Sequence, residues 1–275
     1  MHGLMEFIFF ILNHMKLGNT PYHYNLTSDY ERLAGFFEAI KEKARGTVFD
    51  LGTGSGVLSS WAAQYADRVV AVEINGSASK IAQKNLEAFN NVEVVHADAS
   101  EYQFSTKADV IICEMLDTAL IDEEQIPVLN STLKYLKEDG VIIPCGIINC
   151  IEPVESSCEH ISYEEDGFPK NSVLGEPIFY SKLMFDKPVE PKFKQTFMIK
   201  INRKGIVNGL KLTTFTLITE KIICGPTPML NPPLIIPLKK MNVVENDVLE
   251  VDLSYEMGGG LESVRARAEK IHPKP

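Results

Sequence analysis

No C-x-x-C pair occurs in the sequence, and the cysteines are odd in number: Cys113, Cys145, Cys150, Cys158 and Cys224. Such a set speaks against a disulfide framework and against a zinc ribbon, so buried thiols in a reducing, cytoplasmic compartment are expected. Long hydrophobic runs are missing too. The longest runs from Phe7 to Leu12 and stops at Asn13-His14, far short of the roughly 20 residues that a membrane-spanning helix needs. Glu6 stands before it in place of a basic flank, and no small-residue cleavage site follows. It therefore reads as an amphipathic helix covering a neighbouring surface rather than as a signal peptide, with a peripheral membrane contact as the other reading. Positive charge is in short supply: 27 Lys and Arg face 37 Asp and Glu, a formal net charge of −10. That balance disfavours unassisted binding to RNA or to an anionic membrane and suits a cationic or neutral substrate. His160 and His272 have no partner at metal-ligand spacing, so no metal site is expected.

What is present is room for one large domain or two modest ones in 275 residues. From Thr47 to Cys145, short β-branched runs alternate with segments of helical spacing, the pattern of parallel strands joined by crossover helices. Strands are predicted over 47–51, 68–74, 92–96, 108–114 and 140–144. Helices are predicted over 57–65, over 77–90 with Ile81, Leu86 and Phe89 facing inward, and over a stretch ending near Lys137. Beyond Pro144 helical spacing disappears, prolines cluster, and runs such as 211–218 and 248–255 are rich in β-branched residues. Asn231-Pro232-Pro233 punctuates these strands, and Gly258-Gly259-Gly260 is either a hairpin loop or a flexible excursion.

The chemistry concentrates in the first half. Asp50-Leu51-Gly52-Thr53-Gly54-Ser55-Gly56 follows the first strand and opens a helix, so the backbone is bare where a ligand approaches. Its G-x-G-x-G spacing differs from the dinucleotide G-x-G-x-x-G, and an acid directly before the glycines suits a cation better than a phosphate. Glu73 ends the second strand, where a carboxylate can accept from both hydroxyls of a ribose. Asp98 ends the third, placed to take a hydrogen from an adenine amino group. Three acids at successive strand ends face one crevice by topology.

The stretches 48–56, 70–75 and 96–99 resemble the first motifs of the class I S-adenosylmethionine-dependent methyltransferases. The resemblance implies S-adenosyl-L-methionine as cofactor, with Gly52 and Gly54 leaving room for its methionyl part, Glu73 on the ribose, Asp98 on the adenine and Asp50 orienting the amino acid end directly or through water. A narrower resemblance is to the protein arginine methyltransferases. Ile112-Cys113-Glu114-Met115-Leu116 followed by Glu123 is similar to their double-glutamate loop, and Arg32, with Phe36 and Ile40 behind it, to the arginine that meets the cofactor carboxylate. Tyr22 and Tyr24 stand in the region of that family's aromatic N-terminal motif. The implied fold is α/β, a Rossmann-like doubly wound parallel sheet followed by a mostly β, barrel-like C-terminal domain. The implied division is a helical lid segment over 1–45, the cofactor domain over 46–144 and a β-rich accessory domain over 145–275.

Glu114 and Glu123 also make physical sense without the resemblance. A guanidinium stays protonated and presents five donors in a fixed fork, so two carboxylates both neutralise and orient it. For Glu123 a first-turn acid favoured by the helix dipole is the other reading. The resemblance breaks at the Thr-His-Trp loop of the arginine enzymes, which is replaced by Asn231-Pro232-Pro233-Leu234-Ile235-Ile236-Pro237. Positioning supplies much of such catalysis by itself, so methyl transfer to a nitrogen nucleophile is the expected activity. A methyl-acceptor protein is favoured as partner, though not arginine in particular. An RNA or small-molecule methyltransferase on the same frame and a noncatalytic cofactor-binding scaffold stay open. The region 155–187 shows no amphipathic helix for a dimerisation arm, which leaves homo-oligomerisation open.

Overall fold

The computed structural model describes residues 29–164 and 171–271. The apolar run at Phe7, the tyrosines at 22 and 24, and His272 lie outside them. Helix α1 (Tyr30–Lys43) starts at Asp29, whose side chain accepts from the Arg32 N–H at 3.1 Å, and buries Arg32, Leu33, Phe36, Phe37 and Ile40 along one face. Strand β1 (Thr47–Leu51) then leads through the glycine turn into α2 (Val57–Ala62), followed by β2 (Arg68–Glu73), α3 (Gly76–Leu86), β3 (Val92–His96) and β4 (Ala108–Cys113). A 3-10 turn (Thr118–Leu120), α4 (Gln125–Thr132) and β5 (Leu136–Ile143) complete this part.

The five strands form one parallel sheet in the order β3-β2-β1-β4-β5. The strand order reverses beside β1, and a ligand crevice in such sheets opens at that point, beyond the carboxyl ends of the strands. Strands β1, β2 and β4 are almost wholly buried, as the apolar runs of 48–51, 69–72 and 110–113 require. Helix α3 ends at Leu86 rather than at 90, and its inward stripe is Ala78, Ala82 and Leu86, with Ile81 only half-buried. Small side chains at 78 and 82 let the helix lie close to the sheet.

The single tryptophan, Trp61, is buried on α2 and meets the Phe37 ring edge-on at 5.3 Å between centroids. This pair ties α1 to α2. Phe37→Leu is expected to cost about 1–2 kcal/mol of stability through the lost aromatic pairing and imperfect repacking. Urea unfolding should show it as a lower midpoint at unchanged slope.

The second half consists of strands. They are β6 (Gly146–Glu155), β7 (Ser162–Tyr163), β8 (Ser172–Val173), β9 (Ile178–Met184), β10 (Lys192–Lys200), β11 (Gly205–Leu217), β12 (Ile223–Cys224), β13 (Leu234–Val243), β14 (Val248–Glu256) and β15 (Arg265–Ile271). One antiparallel sheet runs β7-β13-β11-β6-β8, with β12 on β11 and β9 on β6, and a second runs β10-β14-β15. No helix stands between 155 and 187 among the described residues. Cys113, Cys150 and Cys224 are buried as expected, whereas Cys145 and Cys158 are only partly so, because both sit at strand ends and loops rather than on inward strand positions. No helix among the described residues is long and apolar enough to cross a membrane.

Candidate active site

A cleft of about 450 Å³ opens over the carboxyl ends of β1, β2 and β4, within the roughly 300–1,000 Å³ usual for small-molecule and cofactor sites. Its lining includes Asp50, Gly52, Gly54, Glu73, Glu114, Glu123 and Arg32. Seven of the eight residues singled out in the sequence therefore share one cavity. Asp98 does not join them: Ser100 donates to its Oδ1 from both N–H and Oγ, at 2.8 and 2.7 Å. A short acid followed by serine two residues on closes an Asx turn, and this local partner holds the carboxylate to its own loop.

At the end of β1 the chain turns sharply, with Gly52, Gly54 and Gly56 at φ +74°, +59° and +87°. A Cβ at Gly52 would come within 3.0 Å of the Met115 sulfur, so only glycine leaves the cleft floor open there. Asp50 is buried beneath this turn, and the hydroxyls of Thr53 and Ser59 each donate to its Oδ2 at 2.6 Å. Glu73 grips the turn from the neighbouring strand: the Gly54 N–H donates to its Oε2 and the Asn75 N–H to its Oε1, both at 2.8 Å. Each of these oxygens keeps a second lone pair for a hydroxyl.

Arg32 reaches into the cleft from α1, and its guanidinium forks onto Glu114, Nη2 to Oε2 and Nε to Oε1. Both side chains are nearly buried, 6% and 12% exposed, which makes this a charge-assisted pair of the strong kind. The arginine expected from the resemblance to meet the cofactor carboxylate thus meets Glu114, just after β4. The two lie 82 positions apart, a proximity that no local spacing announces.

Glu123 owes its place to Asp117, a buried acid that the sequence reading passed over. Asp117 Oδ2 accepts from the N–H groups of Ile121 and Asp122 at 3.1 and 3.0 Å, and Oδ1 from the Glu123 N–H at 3.3 Å. Tyr163 of β7 donates its phenol to Oδ2 at 2.9 Å. Burial pushes Asp117 up to about 6, against the pull of these donors. Asp50 is likewise pushed up to about 6 by burial, offset in part by the Ser59 and Thr53 hydroxyls. Glu123 keeps a solvent-facing side, yet partial desolvation first, and then the charges of Asp117 and Glu114, raise it to about 6 as well.

Among the described residues, four carboxyl groups and one guanidinium on the lining favour a ligand that carries positive charge. The family model of the ribosomal protein L11 methyltransferases (PrmA) matches residues 33–167, the part that builds this cleft. An uncharacterized protein of Methanothermobacter thermautotrophicus is 48% identical over 92% of this chain and 99% of its own length. Protein arginine N-methyltransferase 2 of Xenopus tropicalis is 31% identical over 50% of this chain, which spans 34% of that relative. The chain belongs to the class I S-adenosylmethionine-dependent methyltransferases. Within that class it stands close to the protein arginine methyltransferases. The crystal structure of Arabidopsis thaliana protein arginine methyltransferase 10 superposes with a TM-score of 0.72 over 92% of this chain and 99% of that one, at 17% identity, and so shares the fold across both halves.

S-adenosylmethionine is the methyltransferase's cofactor. The residues present fit it: a cation-seeking cleft, a bare glycine floor, and a strand-end acid with lone pairs to spare. Met115, inside the motif around Glu114, and Met229 also line the cavity, and Met229 has no signal in the sequence, since an isolated methionine carries no spacing pattern.

Proposed function

We propose that this methyltransferase acts on a nitrogen of a cationic protein side chain, held by Glu114 and Glu123. The observation that carries the reading is the Arg32–Glu114 fork, since the Glu114 carboxylate already receives a guanidinium in the cleft that holds the cofactor residues. When bound, S-adenosylmethionine supplies an electrophilic methyl group on a positively charged sulfur. Glu73 would hold the ribose hydroxyls, while Asp50, Gly52 and Gly54 would accommodate the methionyl end. Asp98 would reach the adenine by way of Oδ2, the oxygen that Ser100 leaves open. Arg32 would face the cofactor carboxylate from one side of its fork. Glu114 and Glu123 would attract the acceptor, orient its nitrogen and keep its charge paired as water is displaced.

Among the described residues no histidine lines the cleft, and this reading rests acceleration on alignment and charge. Of the other two readings, a nucleic-acid substrate is disfavoured by the acid-lined cleft and the net charge of −10. A scaffold without turnover would gain nothing from a second carboxylate, Glu123, beside Glu114 on the cleft lining.

The test is transfer of label from methyl-labelled S-adenosylmethionine to short peptides bearing one arginine or one lysine, beside RNA and small-molecule fractions of a lysate. Label in a peptide supports the reading, and label only in RNA or small molecules overturns it. Acceptor capture needs Glu123 ionised, so KM for the peptide is expected to fall as pH rises through about 6. The same raised groups act on stability in the opposite sense. The folded state holds protons on Asp50, Asp117 and Glu123 that the unfolded chain releases near pH 4. Their contribution is full below about 4 and is lost as pH rises through about 6, which denaturant midpoints between pH 4 and 7 should show.

A further inference from the structure

We propose that Tyr163 and Asp117 are the positioning pair of the acceptor loop: a phenol from the C-terminal β region holds the carboxylate on which Glu123 is seated. The inference rests on the acceptor role of Glu123 argued above and adds the residues that set it.

The loop between β4 and α4 is unusual in its backbone. Ala119 and Leu120 both stand at positive φ, 60° and 59°, a region in which side chains crowd the following carbonyl. Such a conformation persists only where its surroundings over-determine it, and here the hydrogen bonds that reach residues 117–121 from outside the loop come from the other half of the chain. The Ala119 N–H donates to Thr214 Oγ1 at 2.8 Å, and Thr118 Oγ1 donates to the Pro232 carbonyl at 2.7 Å. The N–H groups of Gly258 and Gly260 donate to the carbonyls of Leu120 and Ile121, each at 2.9 Å. Tyr163 adds its phenol to Asp117.

Of these contacts, the one through Tyr163 leads directly to Glu123. Asp117 is 6% exposed and gathers the N–H groups of residues 121, 122 and 123 on its two oxygens. Three of its donors belong to the acid loop itself, and the fourth fastens that unit to β7. Strand β7 pairs with the start of β13, Tyr163 opposite Leu234, immediately after the Asn231-Pro232-Pro233 turn. The C-terminal half thus touches the acid loop where the imidazole-bearing loop is missing, with a phenol from the adjacent strand as donor. Phenol and carboxylate are 46 positions apart, so the pair forms only when the two halves fold together.

Tyr163→Phe keeps the ring and removes the donor. KM for the arginine or lysine peptide is expected to rise about tenfold, the equivalent of one hydrogen bond to a charged group, with kcat and calorimetric affinity for S-adenosylmethionine within about twofold. Amide hydrogen exchange at residues 121–123 should quicken while the rest of the chain keeps its protection. Asp117→Asn is the second variant and should move both readouts the same way. A role in stability alone would instead raise exchange throughout and weaken cofactor binding together with KM. The proposal is overturned if exchange at 121–123 is unchanged in both variants, or if the change spreads over the whole chain. The exchange readout needs no acceptor. If the unaltered enzyme labels neither peptide, the acceptor reading fails while exchange still decides on the pair.

Discussion

Glu73→Ala is expected to weaken S-adenosylmethionine binding by about 10²–10⁴-fold. The Gly54 and Asn75 N–H groups both end on this carboxylate, so its loss releases the turn from β2 as well as removing the acceptor proposed for the ribose. Each hydrogen bond to a charged group is worth about 1.5–3 kcal/mol net, and two of them give the stated range. Glu73→Gln is expected to be nearly as damaging, because its amide NH₂ would be set against a backbone N–H on one side or the other. Titration calorimetry measures the effect, with circular dichroism to confirm the fold. A loss smaller than tenfold in the alanine variant would remove Glu73 from the cofactor site.

The second large effect belongs to Glu114. In Glu114→Ala the Arg32 fork loses the carboxylate it meets, and removing one member of a nearly buried ion pair costs about 3–5 kcal/mol. At about 2–4 °C per kcal/mol for a chain of this size, the thermal midpoint should fall by about 6–20 °C. Transfer should fall further than stability explains, by about 10²–10³-fold, since the acceptor loses both its charge partner and its alignment. Glu114→Gln separates the two effects. It keeps volume and one acceptor oxygen, so the midpoint should recover in part while transfer does not. Wild-type turnover by Glu114→Gln, measured below the melting range, would show that this carboxylate does not hold the acceptor.

Most of what lines the cleft was legible in local sequence. The β-branched runs ending in Asp50, Glu73 and Cys113 mark strands because each side chain there is buried on both faces of a parallel sheet. A glycine-rich turn after the first of them needs no distant partner to be recognised, since positive φ selects for glycine at that place. Arg32, with Phe36 and Ile40 behind it, was marked by the resemblance to the arginine methyltransferases, and α1 places all three on its buried face. Asp98 shows the limit of strand-end logic. Strand β3 stops at His96, so Asp98 stands two residues past its end, and Ser100 two residues on holds its Oδ1. The Gly258-Gly259-Gly260 tract, ambiguous in the sequence, is a docking turn whose N–H groups end on the acid loop.

The amino-acid sequence by itself determined the order of strands and helices, the bare turn at the cofactor cleft and the acidic character of its rim. These follow from side-chain volume, branching and charge over a few neighbouring residues. Only the tertiary structure decided that Arg32 forks onto Glu114, that Asp117 seats Glu123, and that Tyr163 reaches across from the other half. Those contacts join residues 82, 6 and 46 positions apart through hydrogen bonds. Their geometry exists only once burial has removed competing water and left protein groups to satisfy one another.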